Sequence, residues 1–96
     1  MRFEKALRVS PSSGSAYYGL AHIAFMRGQY MRCVEFCKSA ELYSYKDPSL
    51  LMKVYTLEGD GYLRMGKKVD AADAYRKGLG IDPEDRSLKE KLRKIE

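Results

Sequence analysis

The 96-residue chain has no tryptophan, one histidine, two cysteines and three prolines, and these shortages remove several chemistries at the outset. Cys33 and Cys37 with His22 cannot build a disulfide framework or fill the four ligand positions of a structural zinc site. No stretch reaches membrane-spanning length, because the longest uncharged run, from Val9 to Phe25 with Met26 beyond, is broken by Pro11, serines and glycines. Arg2 and Lys5 are followed by no apolar stretch, so a secretory signal is not expected and an intracellular, reducing location, cytoplasm or nucleus, is. Valine and isoleucine are few, and no alternation of apolar and polar residues persists, which leaves no strand to predict.

A concentrated basic stripe is missing too. The net charge is +5, but it is spread over the first ten residues, the segment Arg27 to Lys46 and the segment Asp47 to Ile81, while the tail is balanced. A nucleic-acid reader gathers its charge on one face. Neither nucleic acid nor membrane is therefore an expected partner.

Catalytic constellations are equally scarce. His22 has no orienting carboxylate or nucleophile in a recognisable pattern. Gly59, Gly61 and Gly66 lie in or at the end of a helical pattern and not between a strand and a helix, so they make no phosphate loop. Cys33 and Cys37, at i and i+4, share a helix face at packing positions. The expectation is no enzyme, no cofactor and no metal.

What the chain does have is helical composition, 45% apolar and 32% charged, and an internal repeat. A domain this small buries only roughly 60–65% of its unfolded surface, so its core is thin. The phrase Phe3-Glu4-Lys5-Ala6-Leu7 recurs as Phe36-Cys37-Lys38-Ser39-Ala40 and as Tyr75-Arg76-Lys77-Gly78-Leu79. Ala6 and Ala40 are 34 positions apart and Ala40 and Gly78 are 38 apart, placing a four-residue insertion near Ser44 to Asp47. Between the phrases, Ala16 to Arg27 is apolar on one face at Tyr17, Leu20, Ala21, Ala24 and Phe25, with Gly28 as its stop. Asp47 caps and Pro48 starts a second such helix, closing at Gly66. Amphipathic partners follow over Tyr30 to about Tyr43 and Val69 to Leu79. A charged last helix is predicted from Asp82-Pro83 to about Ile95, with Leu88, Leu92 and Ile95 as its apolar seam. Arg2 to Val9 reads as the second half of an earlier pair, and the chain is expected to be a fragment or a product without upstream units.

These residues resemble the tetratricopeptide repeats. The matching positions are Tyr17, Leu20, Ala21, Ala24, Gly28, Tyr30, Cys33, Cys37 and Ala40 in one unit. In the next they are Tyr55, Glu58, Gly59, Tyr62, Gly66, Lys68, Ala71, Tyr75, Gly78 and Pro83. Glu58 stands where the family has leucine, Ala24 where it has tyrosine, and the two cysteines where it has alanine and an aromatic. The resemblance implies an all-α fold, antiparallel helix-turn-helix pairs stacked as a right-handed α-solenoid. Its divisions would be a remnant over 1–12, repeats over 13–46 and 47–82, and a capping helix over 83–96.

The resemblance also implies a concave groove that binds a partner peptide, as in an adaptor or co-chaperone-like scaffold. Its groove positions carry over to Ser15, Tyr18, His22, Phe25 and Met26, and to Lys53, Thr56, Asp60, Leu63 and Arg64. The family's two-carboxylate clamp is not expected in full. In one register its sites hold Tyr18, His22, Leu57, Ser87 and Lys91, and in the other Gly19, Lys53 and Leu57, so either keeps one lysine. The alternative is a purely structural C-terminal part of a longer solenoid whose partner site lies upstream.

Overall fold

A computed structural model describes residues 13–96, and the remnant expected over Arg2 to Val9 lies outside them. The described residues form five helices: α1 Gly14–Met26, α2 Tyr30–Tyr43, α3 Pro48–Arg64, α4 Lys68–Ile81 and α5 Arg86–Ile95. Each helix packs on its chain neighbour, and α1 also touches α3. The molecule is a flattened body of 39 × 28 × 16 Å, the shape of stacked pairs and not of a sphere.

Local chemistry sets most of the helix ends. Ser13 accepts a hydrogen bond from the Ala16 amide at 3.1 Å, so α1 starts two residues before the position the periodicity predicts. Two glycines close the first helix of each pair. Gly28 has φ 76° and Gly66 φ 77°, a conformation that costs a side chain with a Cβ. The Gln29 amide donates to Ala24 O at 2.9 Å and the Gly28 amide to Phe25 O at 3.0 Å, while the Lys67 and Gly66 amides repeat the pattern on Tyr62 O and Leu63 O. These are Schellman turns, which satisfy carbonyls the helix leaves free and reverse the chain within three residues.

The insertion forms a turn of its own: the Asp47 amide donates to Ser44 O at 2.9 Å, and Asp47 Oδ1 accepts from the Leu50 amide at 3.1 Å. The last helix begins at Arg86, three residues later than Pro83. Asp82 spends its side chain on the Glu84 amide and its carbonyl on the Asp85 amide, so the chain makes one more turn. Asp85 then caps Leu88 N–H at 2.9 Å.

Two apolar clusters make the interior. Ala21, Ala24, Cys33, Cys37, Ala40, Val54 and Leu57 form the first, Ala71, Tyr75 and Leu88 the second. Small residues set the approach of the helices. A Cβ on Gly59 would fall 2.7 Å from Tyr75 Cδ1, and one on Gly78 2.7 Å from Leu88 Cδ1, so α3 meets α4, and α4 meets α5, at glycines. The cysteines are fully buried and unbonded to each other as a disulfide. The hydrogen bond with Cys33, then burial, push the Cys37 thiol far up, so it is packing and not a thiolate.

Candidate functional site

Because α1 and α3 lie against each other, the side chains they turn away from α2 and α4 share one face. At its glycine-turn end, Phe25 of α1 and Tyr30 of α2 meet edge to face, centroids 5.4 Å apart. The Arg64 guanidinium, on the last turn of α3, lies 5.3 Å from the Phe25 ring and 5.9 Å from the Tyr30 ring. Its Nη1 donates to Tyr30 Oη at 3.5 Å. The rings hold the planar cation by their negative faces. No carboxylate among the described residues pairs with it.

Further along α1, the Tyr18 and His22 rings sit 6.3 Å apart. Tyr18 is half-buried, and burial first, then the nearby Cys37, Asp60 and Cys33, push its phenol up from the ordinary value. His22 and Met26 are exposed, Met26 to 74%. Lys53 is exposed near the start of α3 and makes no hydrogen bond or ion pair among the described residues. Lys53 and Arg64 are eleven positions apart, close to three full turns, so both rise from the same side of α3, roughly 16 Å apart along its axis.

Three expected groove residues are turned to other work. Asp60 is not a free groove contact: its Oδ1 accepts from Tyr75 Oη at 2.5 Å and from Lys91 Nζ at 3.2 Å. It therefore ties α3 to α4 and α5, and Lys91 is not merely a solvating group of the last helix. Burial and the Asp60 bond push the Tyr75 phenol well above its usual value. Thr56 donates its hydroxyl back to Met52 O at 2.8 Å, which occupies its donor within the helix. Leu63 packs on the second cluster.

Tyr30 and Lys91 are the functional neighbours that the groove positions omit. Tyr30 lies on the second helix of its pair, and its 34-residue separation from Arg64, one repeat length, is the signal that links them. For Lys91 and Asp60 no spacing rule exists, since they sit on elements joined only by packing. A shallow cavity of about 470 Å³, lined by Gly28, Gln29, Tyr30, Met31, Arg32 and Met65, opens at the same turn end. It touches the aromatic seat of Arg64 through Tyr30 alone. Among the described residues no group of histidine, cysteine and carboxylate side chains is arranged to hold a metal.

Antiparallel helix pairs stacked in a row, crossing at small residues, define a helical-repeat solenoid. A family model described as Tetratricopeptide repeat matches residues 3–35, and solved tetratricopeptide domains superpose on the chain. The N-terminal domain of stress-induced protein-1 from C. elegans is 22% identical, with TM-score 0.88, covering 97% of this chain and 75% of that one. The first tetratricopeptide domain of Spaghetti (RPAP3), solved with the HSP90 peptide SRMEEVD, is 19% identical with TM-score 0.85, covering 97% and 71%. The Arabidopsis OM64 domain is 17% identical with TM-score 0.85, covering 97% and 74%. The chain thus matches the tetratricopeptide repeat over residues 3–35, and its described residues share the fold of tetratricopeptide domains. No curated protein matches it.

Proposed function

We propose that the chain is a non-catalytic adaptor whose α1–α3 face is a groove holding an extended segment of a partner protein. Arg64 carries the reading: a charged fork is stationed on two rings, turned to solvent, and without an acid of its own among the described residues. An incoming carboxylate would gain a two-pronged, charge-assisted bond to a cation whose freedom is already spent. Lys53 supplies a second cation, and its distance along α3 equals roughly five residues of extended peptide. Phe25 and Met26 offer apolar surface, with Tyr18 and His22 beside it. The partner is then a protein segment with two acidic residues about five apart and an apolar residue between them.

The tail clamp of the family is a poor description of this face. Gly19 has no side chain to donate, Leu57 is buried, and Lys91 is held by Asp60. Cations separated by Asp60 form no phosphate-tracking stripe, which argues for protein over nucleic acid. No helix among the described residues is long and apolar enough to cross a membrane. The working compartment on this reading is the cytoplasm, where thiols such as Cys33 and Cys37 stay reduced.

Affinity capture from native lysate with mass spectrometry, run beside a Tyr18→Ala, Lys53→Ala, Arg64→Ala variant, tests the proposal. The variant is expected to lose the captured partner while its circular dichroism stays helical. A labelled SRMEEVD peptide is expected to show no saturable binding at micromolar concentrations. Unchanged capture by the variant would refute the groove and favour the alternative, that these units only extend and cap a longer solenoid.

A further inference from the structure

Glu58 and Glu41 meet in the seam where α2 packs on α3, away from every group assigned to the groove. Glu58 is only 2% exposed. Its Oε2 accepts from Lys38 Nζ at 3.4 Å. Its Oε1 and Glu41 Oε2 are both sealed from solvent, and neither has a hydrogen-bond partner, although the two side chains are within hydrogen-bonding reach of each other. Two ionised carboxylates cannot rest this way, because each would be desolvated and each would repel the other. Lys38 offers one positive charge against two negative ones. One proton balances the cluster, and it is also the single donor that both orphan oxygens lack.

The surroundings offer no other remedy. On α2 the neighbours are Lys38, Glu41 and the buried thiols Cys33 and Cys37, whose own ionisation the Glu58 charge opposes. On α3 they are the phenols of Tyr55 and Tyr62. Lys77 of α4 lies 5.8 Å from the Tyr55 ring centroid, and Lys38 also lies 5.7 Å from that of Tyr62. The groups that act on the Glu58 carboxyl are Glu41 and Lys38.

We propose that one proton, shared between Glu58 Oε1 and Glu41 Oε2, fastens the seam between the two helix pairs, making it a pH-sensitive joint that loosens as the solution turns alkaline. Burial, then the bond to Glu41, push the Glu58 carboxyl up to about 8 from 4.5. The folded chain therefore holds a proton that the unfolded chain releases. Stability from this site is complete below about pH 4.5 and is lost as pH rises through about 8. Since α3 carries Lys53 and Arg64 and α1 carries Tyr18 and Phe25, a looser seam also changes the spacing of the groove's two walls.

Carbon-13 NMR of the glutamate carboxyls in the full chain, titrated from about pH 4 to about pH 10 around the ordinary and raised values, tests the proposal without any substitution. One Glu58 carboxyl signal, identified by its absence in Glu58→Gln, is expected to titrate near 8. A Glu58 midpoint in the ordinary carboxylate range overturns the shared proton. Urea unfolding across the same range is the second measurement. The wild-type folding constant is expected to fall by roughly tenfold per pH unit between about pH 5 and 8 relative to Glu58→Gln. Parallel profiles for the two proteins overturn the joint, and should Glu58→Gln not fold, Glu58→Leu, which also removes the titrating carboxyl, serves as the flat reference.

Discussion

Tyr75 shows how much one side chain does in a thin core. Its ring fills the space that Gly59 leaves open, and its hydroxyl donates to Asp60, which also holds Lys91. Tyr75→Ala empties a fully buried site and is expected to cost about 3–5 kcal/mol by urea unfolding. Tyr75→Phe keeps the ring and is expected to cost about 1 kcal/mol. Glu58 occupies a leucine position of the repeat, and its carboxyl is stabilised only in part by Lys38. Replacing both carboxyls, Glu41→Leu with Glu58→Leu, is expected to raise stability at alkaline pH by about 1–4 kcal/mol in urea unfolding, since apolar side chains of similar size remove the buried charge cluster whole. The thiols make a third prediction. Cys33 and Cys37 are inaccessible, and Cys37 is held protonated, so a thiol reagent is expected to modify neither in the folded chain and both in denaturant.

Among the elements, the turns were the most legible part of the sequence. Gly28 and Gly66 stand where periodicity stops, and each adopts the positive φ that glycine tolerates. Gly28→Ala or Gly66→Ala forces a Cβ into that conformation and is expected to cost about 1–2 kcal/mol each in thermal or urea unfolding. Asp47 and Pro48 were readable for the same reason: a cap followed by a residue without an amide hydrogen can do little else. The start of α5 was not readable. Asp82-Pro83 and Asp85-Arg86 are both plausible starts, and the choice fell to Asp85 because Asp82 closes a turn on Glu84 and Asp85. The face of a groove helix was also only half readable. Spacing marks Asp60 and Arg64 as neighbours on one side of α3, yet one binds inward to Tyr75 and Lys91 while the other turns to solvent.

Across the whole molecule, stability runs along a row of neighbouring contacts and not around one centre. The end of the row should therefore be separable from the rest. A chain ending at Asp85 lacks Leu88, which fills the notch at Gly78, and Lys91, which anchors Asp60. Hydrogen exchange is expected to show α4 losing protection first in that chain, with α1 and α2 the least affected. Equal loss in all helices would mean the row behaves as one cooperative block.

The five described helices, the glycine turns and the small residues at the crossings follow from the sequence, because each rests on a local preference or on a period of about one repeat. Pairings between elements do not. The 96 residues contain Glu41, Glu58 and Lys38 as ordinary surface-type residues, and only packing of α2 against α3 buries them together and demands a shared proton. Phe25, Tyr30 and Arg64 likewise become one seat for a cation only when three helices converge. Local chemistry wrote the elements, and tertiary contact decided which charges are solvated, which are spent inside, and that Arg64 is seated between two rings.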